Sequence, residues 1–155
     1  MVKFSQTVFF AIGLILCSHF ILPNLALADP LSIRNSAHGY KYVTAGIGEE
    51  EALQMKPIAK NYTLNLLFSE GVVGRWAMDV NVNIYDEASN LMFRIVAAKP
   101  VLYVNLPAGT YTILASNNGN KLRHKVTLEA DTNKKVVLNW KEFVDEDVPL
   151  DGEGN

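Results

Sequence analysis

Two histidines follow the apolar amino-terminal segment, and histidine is the side chain best suited to acid–base or metal chemistry near neutral pH. His124 lies between Leu122 and Val126, in an alternating phase that we expect to face a core, where a histidine is ordinarily half-buried and hydrogen-bonded. His38 lies in a stretch with no clear periodicity. Neither belongs to a His-x-His or His-Glu-x-x-His pattern, so the sequence predicts no metal site.

Other side chains that support catalysis are not arranged for it. No serine stands in a Gly-x-Ser-x-Gly turn, and no glycine-rich phosphate loop joins a strand to a helix. The carboxylates of Glu49–Glu51 have the spacing of a charged helix start rather than that of an acid–base pair. We therefore predict no catalytic residue and no cofactor. The alternative is an enzyme of unfamiliar type that uses His124 with nearby carboxylates.

A glycine-containing loop before the main body of the chain is the first candidate for recognition. Its glycines permit close approach of a partner to the backbone, and its acidic and aromatic neighbours can make polar contacts. The candidates for binding in this loop are Tyr42, Gly46, Gly48, Glu49 and Glu50.

The same loop has a structural interpretation. Gly48 precedes a short helix whose first turn, Glu49–Glu51, places carboxylates at the positive end of the helix. Because a proline disfavours helical geometry in the residue before it, we expect Pro57 to end this helix at Lys56. On this interpretation the glycines serve the helix start alone.

Aromatic residues form the second set of candidates. Trp76 follows Arg75 in a glycine-rich connection, where an indole can stack on a sugar or peptide, or else pack over the end of a sheet. Two strand faces combine tyrosine and asparagine: Asn81, Asn83 and Tyr85 on one, Tyr103 and Asn105 on the other. Such faces bind partners through adaptable polar contacts, and they are also the ordinary solvent side of a sheet.

The elements that must position these residues are strands, which dominate the chain from Asn61 onward. Apolar and polar residues alternate with period two in segments separated by turn signals such as Asn117–Asn120. About seven segments recur at the spacing typical of a β-sandwich, with Pro100–Ala115 expected to form a central strand–turn–strand hairpin. The sequence thus predicts an all-β, seven-stranded antiparallel sandwich preceded by one short helix.

Both ends of the chain differ in composition from this middle. Lys3, the apolar run Val8–Leu22 and the Ala26–Ala28 triplet have the order of a signal peptide cleaved near Ala28; a retained anchor is the alternative. The expected units are a signal peptide (1–28), a leader with the glycine loop and helix (29–60), the sandwich (61–141), and an acidic disordered tail (142–155). The protein should be periplasmic or secreted, and should touch the membrane only through the signal peptide before cleavage.

Composition narrows the classes of partner. The 155-residue chain carries 14 Lys and Arg against 16 Asp and Glu, a formal net charge of −2, which argues against nucleic acid as a partner. Its one cysteine, Cys17, lies in the predicted signal peptide, so we expect the mature protein to have neither a disulfide nor thiolate chemistry.

Three segments resemble a known family. Leu106–Ile113, which reads Leu-Pro-Ala-Gly-Thr-Tyr-Thr-Ile, is similar to the Leu-Pro-x-Gly-x-Tyr-x-Val signature of carboxypeptidase regulatory-like domains, and the Asp79–Asp86 strand precedes it as in that family. Tyr42–Glu51 resembles a segment that precedes the domain in small exported bacterial proteins, with Ala45 in place of a glycine. The resemblance implies a transthyretin-like, or prealbumin-like, sandwich and an exported location, and it implies no defined activity.

Together these features favour an exported, non-catalytic binding or adaptor module of the bacterial periplasm or envelope. Its partner would be an envelope protein or polymer. Two alternatives stay open: a structural or inhibitor protein that docks through Gly46–Glu51, and the enzyme that uses His124. The sequence makes no prediction of oligomeric state.

Overall fold

Two β-sheets pack face to face in the computed structural model, which describes residues 31–141. The predicted signal peptide (1–28) and acidic tail (142–155) lie outside the described residues. In chain order the elements are β1 (Arg34–Asn35), β2 (Lys41–Ala45), α1 (Glu49–Ile58), a 3₁₀ turn (Ala59–Asn61), β3 (Leu64–Glu70), β4 (Arg75–Trp76), β5 (Val80–Tyr85), β6 (Leu91–Ala98), β7 (Val101–Val104), β8 (Gly109–Asn117), β9 (Asn120–Leu128) and β10 (Lys134–Trp140). No helix in this part of the chain is long and apolar enough to cross a membrane.

The first sheet has six strands and the second has four. The six-stranded sheet runs β1-β2-β7-β3-β10, with β4 paired to the end of β3, and the four-stranded sheet runs β6-β5-β8-β9. The prediction of an all-β fold is confirmed, but residues 31–141 form ten strands rather than about seven. Two-residue strands such as β1 and β4 are too short to show a period, and β2 lies in the segment that the sequence assigned to the leader.

One pair of strands is parallel. β10 pairs with β3 from Lys134↔Leu64 to Trp140↔Glu70, so the prediction of a purely antiparallel fold is wrong at this position. Alternation shows which side chains face inward, and it carries no information on the direction of the neighbouring strand.

The core lies between the sheets and is built from the inward phase of each long strand. Phe68 of β3, Ile84 of β5, Phe93 of β6 and Ile113 of β8 are fully buried in it. Trp140 closes one end, with its ring 6.4 Å from that of Phe68 and its indole N–H donating to the Asn120 carbonyl.

The expected central hairpin is wrong as a pairing. β7 pairs with β2 and β3, whereas β8 pairs with β5 and β9, so Pro100–Ala115 crosses from one sheet to the other. The Tyr111 hydroxyl donates to the Pro107 carbonyl across this crossing at 2.9 Å. Both strands have the period-two pattern because they face the same core from opposite sides.

The turn at Asn117–Asn120, by contrast, is confirmed as a hairpin. Asn118 and Gly119 have φ values of 47° and 82°, and Asn117 pairs with Asn120. A two-residue loop with positive φ at both positions is the turn that best matches the twist of paired strands. It fixes the register of β9 against β8.

The helix α1 covers the side of the six-stranded sheet that points away from the core. Val43, Ala45, Met55, Tyr62 and Tyr103 form a second buried cluster there.

The helix also runs through Pro57 to Ile58, so its predicted end at Lys56 is wrong. The proline removes only the bond to the Leu53 carbonyl in the last turn, and Leu53 is 68% exposed, so water can take that bond.

Candidate functional site

The loop at Gly46–Glu51 is occupied by the protein's own side chain. The Glu51 carboxylate accepts hydrogen bonds from the backbone N–H groups of Gly46 and Gly48, and an ion pair joins it to Lys99 Nζ at 2.7 Å. Glu51 is the third residue of α1 and Gly48 its N-cap, so this contact is half of a capping box. The Lys99 ammonium, followed by the Gly46 N–H, lowers the pKa of the Glu51 carboxyl.

Gly46 is buried, and the close approach that its missing side chain permits is used internally. A Cβ at this position would overlap the Glu51 carboxylate. Lys99 is held in turn by its backbone N–H, which donates to Thr44 Oγ1 at 2.9 Å. The loop therefore joins α1 to the connection between β6 and β7, which supports its structural interpretation.

The remaining predicted residues of this region do not converge. Glu49 and Glu50 are exposed on the first turn of α1. The Tyr42 ring packs edge-on against Phe93, with centroids 5.2 Å apart, and so lies at the margin of the core. Trp76 is 42% exposed on β4, which pairs with the last residues of β3. Tyr42 lies on β2, level with the first residue of β3, so the two aromatic residues are at opposite ends of the sheet.

His124 is exposed, so the expectation of a partly buried histidine is wrong. It keeps the inward phase of Val126 and Leu128, both of which are buried. Because β9 is an edge strand with a neighbour on one side only, inward phase does not ensure burial there. Residues 31–141 contain no group of three or more His, Cys, Asp or Glu that could hold a metal ion.

Of the two tyrosine–asparagine faces, one is covered. Tyr103 is only 9% exposed and packs against Tyr62 beneath α1, with ring centroids 5.9 Å apart. Asn105 accepts a hydrogen bond from the Thr63 N–H at 3.0 Å and donates to the Asn61 carbonyl at 3.1 Å. The polar phase of β7 is thus an internal face, which the sequence did not predict.

The other face is open. We call it the outer face: the side of the four-stranded sheet that points away from the core. The register of the sheet brings its side chains together from four strands. They are Asn81, Asn83 and Tyr85 of β5, Leu91, Arg94 and Val96 of β6, Thr110, Thr112, Leu114 and Ser116 of β8, and Lys121, Arg123, Lys125 and Thr127 of β9.

Three adjoining depressions lie along the outer face. The first, of about 270 Å³, lies over Asn83, Ser116 and Lys121. The second, of about 230 Å³, lies by Tyr85 and Thr112, and the third, of about 290 Å³, by Thr110 and Lys125. Arg123 borders all three. The sheet therefore offers a continuous polar surface rather than one enclosed pocket.

Sequence reasoning found the β5 residues of this face and missed those of β8 and β9. The signal was present: Asn118–Gly119 predicts a two-residue hairpin, which places Ser116 opposite Lys121. The same register places Leu114 opposite Arg123, so the composition of the surface could be derived from the turn.

Comparison with protein-family models and with curated proteins finds no match to this chain. The outer face itself is therefore the basis for a proposal of function.

Proposed function

We propose that the protein is an exported, non-catalytic binding or adaptor module of the bacterial periplasm or envelope, and that the outer face holds its partner, an envelope protein or polymer. One observation carries the proposal. The outer side of the four-stranded sheet is open and mostly polar on β5, β8 and β9, whereas α1 covers part of the other sheet's outer side. Polar side chains on rigid strands suit recognition through many adaptable contacts.

The proposal includes a transthyretin-like fold of the carboxypeptidase regulatory-like family. When β1, β2 and β4 are set aside as accessory strands, seven strands remain, three in one sheet and four in the other. The family-like Leu-Pro-Ala-Gly-Thr-Tyr segment forms the crossing between the sheets, where Tyr111 bonds to Pro107. A tyrosine that bonds back to the chain at a sheet-to-sheet corner is a recurrent device in β-sandwiches. These features support the assignment.

The test is a crosslinked pull-down from cell-envelope extract. The bait is Asp29–Asn155, which contains every residue of the described fold, and the captured material is analysed for both protein and carbohydrate. Leu114→Glu places a negative charge at the centre of the outer face, opposite Arg123. Leu53→Glu is the matched control, because Leu53 is an exposed leucine on α1.

We expect the native bait and Leu53→Glu to recover the same partner in similar yield, and Leu114→Glu to lose it. Equal recovery by all three baits would place the binding surface elsewhere. Loss of the partner with Glu49→Ala and Glu50→Ala alone would favour docking through Gly46–Glu51. Amino-terminal sequencing of the exported protein should begin at Asp29 and tests the predicted cleavage.

A further inference from the structure

The four strands of the outer face carry a one-sided charge. Their sequences contain Arg94, Lys121, Arg123 and Lys125 on the outer face, and they contain no Asp or Glu. Within the described residues, none of these four cations forms an ion pair. Carboxylates border the face at one end: Asp86 lines the second and third depressions, Glu87 lines the third, and Glu129 directly follows β9.

The same asymmetry holds for the whole folded part. Residues 31–141 contain 13 Lys and Arg against 9 Asp and Glu, a formal net charge of +4. The net charge of −2 for the full chain conceals this, because residues 142–155 contain six acidic residues and no basic one. A basic, unpaired surface on a chain of negative total charge points to a specific anionic ligand for that surface.

The surface is elongated. Lys121, Arg123 and Lys125 follow one another at every second residue of β9, a spacing of about 7 Å along a strand. The outer residues of β8 from Thr110 to Ser116 extend over about 20 Å. With Arg123 bordering all three depressions, and with no carboxylate lining the first, the face suits a ligand that lies along the sheet and places its negative charges over Lys121 and Arg123.

The side chains between the cations suit a hydroxyl-rich ligand. The Asn83 amide can both donate and accept hydrogen bonds, and the hydroxyl groups of Thr112 and Ser116 can do the same. Leu114, 38% exposed at the centre, offers a small apolar contact of the kind that the face of a sugar ring can cover. Guanidinium and ammonium groups pair with carboxylates in charge-assisted hydrogen bonds.

We propose that the outer face binds a linear, carboxylate-bearing polysaccharide. Its acidic groups pair with Lys121, Arg123, Lys125 and Arg94, and its hydroxyl groups bond to the asparagine, threonine and serine side chains. This inference rests on the proposed function, because it names the partner of the same surface. Single-stranded nucleic acid fits less well, since Tyr85 is the one aromatic residue among the outer-face side chains and base stacking uses several.

The experiment measures binding of Asp29–Asn155 to polygalacturonate by affinity electrophoresis and titration calorimetry. Neutral dextran, a single-stranded oligonucleotide and vesicles with anionic headgroups are the comparison ligands. The test variant is Lys121→Gln with Arg123→Gln. The control variant is Lys56→Gln with Lys60→Gln, which removes the same charge from exposed residues at the end of α1 and in the turn after it.

We expect polygalacturonate to bind more tightly than every comparison ligand. The outer-face variant should lose about tenfold in affinity, since two charge-assisted contacts are removed, and the control variant should change less than about twofold. Circular dichroism of both variants checks that the fold is retained.

Equal losses in the two variants would overturn the inference, because they would indicate attraction to net charge without a site. Equal or tighter binding of dextran, oligonucleotide or vesicles would also overturn it. If polygalacturonate fails to bind while Leu114→Glu still abolishes capture of an envelope partner, the polysaccharide is wrong and the proposed function stands. If Leu114→Glu changes neither binding nor capture, both are wrong.

Discussion

At the residue scale, the contact that anchors α1 is the one between the Glu51 carboxylate and the backbone N–H groups of Gly46 and Gly48. The carboxylate caps α1 and is held by Lys99, so one side chain fixes both the start of the helix and its position on the six-stranded sheet. A glycine at Gly46 is required by the volume of that carboxylate. Of the loop residues that the sequence offers for recognition, Gly46 is therefore occupied by a carboxylate of the same chain, whereas Gly48, Glu49 and Glu50 are exposed.

Gly46→Ala should lower the free energy of unfolding by about 1 kcal/mol, because the added Cβ displaces the carboxylate from its N–H donors. Gly48→Ser is the control, since a Cβ there would lie 3.6 Å from the same carboxylate at a φ of −55°, and serine is at least as favourable an N-cap as glycine. Urea denaturation measures both. In a Glu51→Ala background the Gly46→Ala change should cost almost nothing, and a full additive cost would show that the two residues are not coupled.

The charge of Glu51 also makes a pH-dependent contribution to stability. Its folded-state pKa is lowered from the ordinary value of 4.5, first by Lys99 and then by the Gly46 N–H. The contribution is therefore complete above pH 4.5 and is lost as pH falls through the folded-state pKa.

Glu51→Gln should accordingly be less stable than the native protein at pH 6, and the difference should narrow on acidification below pH 4.5. Denaturation midpoints between pH 6 and pH 3 measure this. Asp86 also has a lowered pKa, through its hydrogen bonds to Asn90, but its contribution is common to both proteins. A difference that stays constant with pH would mean that the Glu51 charge does not contribute.

At the scale of elements, the crossing from β7 to β8 is one of the connections that carry the chain from one sheet to the other. Tyr111 is buried, and its hydroxyl donates to the Pro107 carbonyl four residues upstream. This bond holds the corner at which the chain leaves one sheet and enters the other.

Tyr111→Phe should therefore lower the free energy of unfolding by about 1 kcal/mol, through the loss of one hydrogen bond without a loss of packing. Tyr85 is half-buried on the outer face, and Tyr85→Phe should change the free energy of unfolding by less than half as much. Urea denaturation of the two variants makes the comparison. A similar change in both would indicate that the bond from Tyr111 to Pro107 stabilises the fold no more than an outer-face hydroxyl does.

The elements also show what the sequence predicts well and what it does not. Period-two alternation placed the β5 strand, with Asn81, Asn83 and Tyr85 on one face, because burial of one face is a local property of a strand. The Asn118–Gly119 turn was predicted because its φ values demand those residues.

What failed depends on contacts distant in sequence. The pairing of β10 with β3 joins residues about seventy positions apart, and the local pattern of neither strand contains it. The polar phase of β7 at Tyr103 was predicted to meet solvent, and it is covered by a helix from an earlier segment. Of the candidate site, the sequence singled out the β5 residues. The basic row of β9, which consists of Lys121, Arg123 and Lys125, joins them only through the register of the sheet.

At the scale of the whole molecule, the positions of the charges affect ligand binding more than the net charge does. The folded part carries +4, and the six acidic residues of 142–155 follow directly after β10. The β9 strand begins near the end of β10, since the Trp140 indole bonds to the Asn120 carbonyl. The acidic segment is therefore attached close to Lys121, the first cation of the basic row, and should compete electrostatically with an anionic ligand.

Ending the chain at Lys141 should accordingly strengthen binding to polygalacturonate severalfold at low salt, because the six negative charges of the segment attached after Lys141 are removed. The gain should shrink as salt is raised, since the screening length falls to about 10 Å at 0.1 M ionic strength. Titration calorimetry over a range of salt concentrations measures it. A full-length variant with the six acidic residues changed to Asn or Gln is the matched control and should show the same gain. If only the shortened chain gains affinity, residues 142–155 act by occupying space; if neither gains, their charge does not reach the outer face.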